Sequence, residues 1–379
     1  MSSPQVETLE HLVADPSGEG LARHILEFDP KVPEERVFTS AAITQALGVP
    51  GTVEAERFAE AAAVPALSPI PWPAGLAPVS SPLAPVPGPD DPLPAADALV
   101  VTWTVAEAEA LADVLTPGQP KAEWYPYARG YQDYLPMIRP GAPARHYGRL
   151  GIYAVTRIGG LRVVCLKSDL HLSQDGPELP VRRLWAQIIT EVAPRLAVTT
   201  GTAGGIDADT ELGDIVLTST VRFDCQKTFA HAVFAQASYT DPAAHRPPTH
   251  DQAAMDALFA VNSARIPASR PARTWTGAQV LTTDFFAFDD TTDHYGLRAA
   301  DPAARAVEMG DAVLGLVATT DLTDPPPWLI IRNASDPQID GTLTLRQQAA
   351  TAARIYEKYG YWTTVNSAIA TWASITDLQ

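Results

Sequence analysis

The chain has 379 residues, 46% of them hydrophobic, enough for a sizeable core in one large domain with extensions or in two domains. With 27 Lys and Arg against 44 Asp and Glu the net charge is −17, which argues against sequence-independent nucleic-acid binding and against docking on an anionic membrane. The start of the chain has no basic, apolar leader, and no run approaches the roughly 18 apolar residues of a membrane span. The expectation is a soluble, cytoplasmic protein.

Residues 1–97 read as an extension. Short helical patterns run over 7–28 and 41–63, the second with Thr39 or Ser40 as N-cap and Gly48 as stop. Between Pro65 and Pro94 lie 11 of the 35 prolines, a density that excludes helix and central strand. This segment is extended, as a linker or a strap; Ile70 and Trp72 favour a strap. No chemistry is visible before Ala98.

From Ala98 the pattern becomes α/β. ALVVTW is a short buried strand and VAEAEALADVL a helix closed by Pro117 and Gly118. A segment dense in aromatics, with Trp124, Tyr125, Tyr127, Tyr131 and Tyr134, either covers a ligand or forms a surface excursion packed on itself. GIYAVTRI and LRVVCLK form a hairpin across Gly159 and Gly160. Cys165 sits in that second strand; it and Cys225 make neither a disulfide framework nor a zinc set. A helix is expected over 181–192, strands at LAVTT, DIVLTS, AQVLTT and WLIIRNAS, and helices at VEMGDAVLGLVA and LRQQAATAARIYEKYG, the last stopped by Gly360. Alternating elements of this kind give an α/β fold with a mixed central sheet flanked by helices.

The most specific stretch is TTGTAGGIDADTELGDIVLTS, 199–219. Its apolar run enters a turn with Gly201, Gly204 and Gly205, and Gly213-Asp214 opens the next strand. Small residues let backbone N–H groups approach a ligand. Together with three further segments it resembles the nucleoside phosphorylase and nucleosidase superfamily, in particular nucleosidases that act on methylthioadenosine and S-adenosylhomocysteine. Those segments are Thr102 to Glu107 after the first strand, Thr282-Thr-Asp-Phe-Phe286, and VEMGDAVLGLVA followed by WLIIRNASD. The resemblance covers roughly 98–379, interrupted around 121–147, and implies the superfamily's mixed-sheet fold for a catalytic domain over 98–379.

It also implies roles. Glu107 takes the place of the acid that orients the attacking water; its other reading is a first-turn acid favouring the helix dipole. Asp336, beside Ser335, takes the place of the general acid that protonates the purine's five-membered ring; its other reading is a helix N-cap. Thr202, Ala203 and Gly204 fall beside the ribose. Phe286 stacks on the base, with Phe285 and Phe288 as competitors. Glu308 and Met309 lie at the sugar, but Gly310 stands where the family's ribose-binding Glu follows the Met, so Glu308 or Asp311 is left to reach the diol.

The resulting expectation is hydrolysis of the N-glycosidic bond of a purine-type nucleoside, without metal or organic cofactor, by a homo-oligomer. Two rivals are a phosphorylase of the same fold and a non-catalytic nucleoside sensor. Against the phosphorylase stands the absence of the arginines that such enzymes carry: Thr199 and Thr200 precede the glycines, and Trp103, Thr104 and Val105 follow the first strand.

Overall fold

The computed structural model describes residues 19–31, 66–241 and 252–378. The helix expected over 41–63, with its cap and stop, lies outside the described residues.

Among the described residues, thirteen strands form one mixed sheet: β1 (Val79–Ser80), β2 (Ala98–Thr102), β3 (Tyr125–Tyr127), β4 (Gly151–Ile158), β5 (Leu161–Ser168), β6 (Leu196–Gly205), β7 (Ile215–Thr218), β8 (Thr220–Phe223), β9 (Ser238–Thr240), β10 (Thr274–Thr276), β11 (Gln279–Thr282), β12 (Ala304–Glu308) and β13 (Trp328–Asp336). The longer helices are α1 (Glu19–Glu27), α2 (Val105–Leu115), α3 (Pro180–Val192), α4 (Gln252–Ala260), α5 (Ala312–Thr320) and α6 (Leu345–Thr376). Side chains alternate between the faces of the sheet. Leu99, Val101 and Val164 join the cluster under α3 and α5, whereas Ala98, Val100 and Val163 join the one under α2 and α6. The expected α/β class with a mixed, helix-flanked sheet is therefore the observed one.

The Pro-rich segment is a strap. Its Leu67 and Ile70 pack on the core, Trp72 lies 4.7 Å from Trp372 between ring centroids, and the Trp372 indole N–H donates to the Leu76 carbonyl at 2.6 Å. Midway along it, β1 pairs antiparallel with β4.

Three expectations need correction, and one open alternative is decided. The glycines of 201–205 do not form a turn; they continue β6, which runs for 10 residues. Glycine in a strand marks close approach of another group, and here the Glu107 and Asp336 carboxyls fill the space beside Gly201 and Gly204. The apolar run 307–318 is not one helix: Ala304–Glu308 is a strand and α5 starts at Ala312. Gly360 does not stop α6, which continues to Thr376. The roughly 1 kcal/mol cost of a mid-helix glycine is outweighed by burial of Tyr361, Trp362, Val365 and Ile369 beyond it. The aromatic insertion is the packed excursion: Trp124, Tyr125, Tyr127 and Tyr134 are buried, with the Tyr127 and Tyr134 hydroxyls donating to Glu191 and Gln187 of α3 at 2.9 Å.

β6 organises the centre. β13 runs parallel along one edge, from Trp328↔Ala197 to Asp336↔Gly204. The other edge is shared. β2 pairs with its first half, ending at Val101↔Thr199, and β12 takes up the far end at Val307↔Gly204. Between them the edge of β6 around Thr202 has no strand partner, and ligands in open α/β sheets bind at such changes of partner beyond the strand ends.

Candidate active site

One cavity of about 60 Å³ opens at this gap. All eight residues expected at the site contribute to its wall: Glu107, Thr202, Ala203, Gly204, Phe286, Glu308, Met309 and Asp336.

Glu107 fills the gap in the ladder. Thr104 caps α2 and Glu107 completes a capping box with it. Its Oε2 accepts from the Thr102 hydroxyl at 2.5 Å and from the Trp103 and Thr104 amides at 2.9 and 2.8 Å. Its Oε1 accepts from the Thr202 amide and hydroxyl, both at 2.7 Å. The orphan N–H of β6 is thus satisfied by a carboxylate from the helix after β2. Burial pushes the Glu107 carboxyl upward, but the Arg332 guanidinium and these hydrogen bonds outweigh it and hold it below the ordinary range. Glu107 is an ionised group with its acceptor sites occupied.

Two glycines make room for the two expected acids. Gly201 has φ +147°, and a side chain there would overlap the Glu107 carboxyl. A Cβ on Gly204 would stand 3.1 Å from Asp336 Oδ2. Asp336 ends β13 and is 6% exposed. Burial pushes its carboxyl up to about 7, against a hydrogen bond from Ser335 at 3.0 Å. A carboxyl that holds its proton near neutrality is suited to donating it.

At the end of β12 the Glu308 carboxylate turns back on its own loop. It accepts from the Gly310 amide at 2.5 Å, the Asp311 amide at 2.9 Å and the Thr282 hydroxyl. Burial and the neighbouring Asp311 push it upward. Asp311 is fully buried and does not line the cavity; it forms a bidentate pair with Arg332, at 2.8 and 2.5 Å. Of the two acids left to reach a sugar, Glu308 is the one at the wall. Gly310 lies against the Trp103 indole, where a Cβ would meet the ring at 3.2 Å. The indole stands where a side chain at 310 would go.

Phe286 reaches the cavity, whereas Phe285 and Phe288 pack away from it in buried clusters. The loop between is pinned by Asp284, which accepts from the amides of Gln226, Lys227 and Phe229 at 2.9, 3.1 and 2.7 Å.

Sequence reasoning missed several wall residues. Arg332, 2% exposed, is central: its guanidinium pairs with Asp311, lies 3.6 Å from Glu107 and 3.8 Å from Glu308, and stacks 4.9 Å from the Trp103 ring centroid. It sits inside WLIIRNASD, and a charge within an apolar strand was the available signal. His171, from the loop after β5, also lines the cavity; burial pushes it down to about 3, so it is a neutral imidazole. Tyr356 comes from α6, beyond any motif. Ile25 and Leu26 come from α1, in the segment where the sequence shows no chemistry.

Among the described residues, no group of three or more His, Cys, Asp or Glu has metal-holding geometry, and no helix is long and apolar enough to cross a membrane.

Residues 132–354 match the model of the phosphorylase superfamily. Over 170 residues the chain is 32% identical to the 5′-methylthioadenosine/S-adenosylhomocysteine nucleosidase of Colwellia psychrerythraea, spanning 45% of this chain and 67% of that protein. Among solved structures it overlaps the 5′-methylthioadenosine/S-adenosylhomocysteine nucleosidase of Neisseria meningitidis in complex with methylthio-immucillin-A, at 18% identity and TM-score 0.44, over 74% of this chain and 98% of that one. It also overlaps the futalosine hydrolase of Helicobacter pylori, at 12% identity and TM-score 0.45, over 74% and 97%.

Proposed function

The chain belongs to the phosphorylase superfamily, and we propose that it hydrolyses the N-glycosidic bond of a purine-type nucleoside, releasing base and free sugar. The observation that carries this reading is the pair of acids at one cavity: Asp336, raised by burial to about 7, and Glu107, held ionised by Arg332 and five hydrogen bonds.

In this mechanism Asp336 donates its proton to the base as the glycosidic bond breaks, and the bonding pair leaves with the base. The sugar becomes an oxocarbenium-like cation. Glu107 does not take up a proton. Its charge stabilises the cation, and it orients water through Thr202, whose hydroxyl donates to Glu107 and can accept a hydrogen bond from the water. Water adds to the sugar carbon, and the proton it loses restores Asp336. Phe286 offers a stacking face to the base.

Hydrolysis is favoured over phosphorolysis by charge. Arg332 is the cation at the cavity wall among the described residues, and Asp311 already holds it in a bidentate pair, flanked by Glu107 and Glu308. A phosphate dianion would meet more carboxylate than guanidinium. The resemblance further supports a catalytic unit over 98–379 that works as a cytoplasmic homo-oligomer.

The test is a panel of adenosine, inosine, 5′-methylthioadenosine and S-adenosylhomocysteine, incubated with and without phosphate while free base is measured. Release of base at the same rate in both supports the proposal. Release that requires phosphate replaces it with a phosphorylase, and binding without release replaces it with a sensor.

A further inference from the structure

The cavity is smaller than the roughly 300–1,000 Å³ usual for pockets that hold a ligand of drug size. At about 60 Å³ it has room for a few waters. Movement of part of the wall would widen it for a nucleoside. Eight of the wall residues are held by the strand ladders of β6, β12 and β13, Glu107 by its five hydrogen bonds and Tyr356 by the long helix α6. α1, a helix of nine residues, has no such support.

α1 lies across the cavity with one apolar stripe inward: Leu21, Ala22, Ile25 and Leu26 are all buried. Ile25 shares a cluster with Ala106, Ala353 and Tyr356, on which Phe286 packs. Leu26 belongs to the cluster that contains Trp103. The ties that fasten this segment run between side chains. Lys31 reaches Glu109 and Asp113, both at 2.9 Å, Lys121 reaches Asp29 at 3.2 Å, and His24 reaches Glu357 at 2.6 Å. Lys31 is one-third exposed, and pairs of that kind are individually weak. A short helix held by apolar contacts and partly exposed ion pairs can open at far lower cost than a sheet strand.

We propose that α1 is a lid of the same chain, which opens to admit the nucleoside and closes with Ile25 and Leu26 against it, limiting the size of the substituents the site accepts. This inference rests on the nucleosidase reading. Both side chains are aliphatic and offer no hydrogen bond or charge, so they act by exclusion. A compact nucleoside fits beneath them, whereas a long, charged substituent such as the homocysteine group of S-adenosylhomocysteine has to displace them.

The experiment compares full-length Ile25→Ala, Leu26→Ala and Leu21→Ala variants with the parent, reading kcat/KM for S-adenosylhomocysteine relative to adenosine. Leu21 is buried on the same helix but does not line the cavity, so it reports any general loosening. The ratio should rise by about tenfold or more at positions 25 and 26, the scale on which pocket methylenes discriminate, and stay at the parent value in Leu21→Ala. Because truncation could undock α1, Leu26→Met keeps the volume, and hydrogen exchange of residues 19–27 in the parent is followed with and without adenine. Adenine should slow that exchange. Base release with unchanged ratios at 25 and 26, or exchange that ignores bound adenine, overturns the lid and leaves the nucleosidase reading standing. Failure to release base from any nucleoside removes that reading and the lid with it.

Discussion

The Glu107 carboxylate occupies the space that a side chain on Gly201 would need: a Cβ there would stand 2.8 Å from Oε2 and closer still to the carboxyl carbon. Position 201 is bare because an acid from a different element must reach the unpaired edge of β6 across it. Gly201→Ala has to expel that carboxylate or distort the strand, and it breaks a buried, charged hydrogen-bond network. The expected loss is about 3 kcal/mol of unfolding free energy, the usual scale for disrupting a buried charge pair, read by chemical denaturation. Gly204→Ala, where Asp336 Oδ2 would lie at 3.1 Å, should cost less stability and show itself mainly in kcat. Equal stability losses with intact turnover in both would break the link between glycines and acids.

Asp336 carries a pH prediction with a definite sign. Its folded-state value, about 7, is above the ordinary 3.8 because burial disfavours the charge. The folded protein therefore keeps a proton that the unfolded chain releases between pH 4 and pH 7, and stability falls across that window. At about 1.4 kcal/mol per pH unit of difference, Asp336→Asn should gain a few kcal/mol relative to the parent between pH 4 and pH 8, measured by urea titration at both. Turnover of the same variant should be abolished, with binding of adenine retained. In the parent, kcat should decline as pH rises through 7.

Arg332 is the counter-charge of Asp311 and Glu107, and it lies 3.8 Å from Glu308. Arg332→Met should leave Glu107 and Asp311 uncompensated and cost about 3–5 kcal/mol at neutral pH. The deficit should shrink on acidification, since protonating the carboxyls removes the repulsion. Parallel stability curves for variant and parent from pH 5 to pH 8 would show that the guanidinium is not the counter-charge described.

Trp103 and Gly310 make a coupled pair. Introducing the acid that the family resemblance calls for, Gly310→Glu, forces a side chain into the indole, so it should destabilise the protein by about 2 kcal/mol, in the range of overpacking. Adding Trp103→Ala should recover much of that loss, a non-additivity visible in a double-mutant cycle of denaturation energies. Simple addition of the two losses would argue against the exchange of indole for carboxylate.

Much of this was legible in the sequence where local patterning decides. The helix over Val105–Leu115, the hairpin across Gly159-Gly160 and the strand ending at Asp336 follow from periodicity and breakers. What was not legible depends on distant partners. The glycines of β6 look like a turn because the carboxyls that fill their space come from positions 107 and 336. Gly360 looks like a stop because the burial that carries α6 past it belongs to tertiary packing. Asp311 and Glu308 are equivalent in the sequence, and Arg332 separates them by claiming Asp311. Ile25 and Leu26 carry no motif, since an aliphatic wall is ordinary core until its location is known.

The central claim is that water, not phosphate, receives the sugar. The most direct measurement runs the reaction on the best nucleoside of the panel in ¹⁸O-enriched water with phosphate present, and weighs the sugar product. The account predicts free sugar carrying one labelled oxygen, at a rate independent of phosphate and sharply lower in Glu107→Gln. Unlabelled sugar 1-phosphate, accumulating in proportion to the phosphate added, would contradict it.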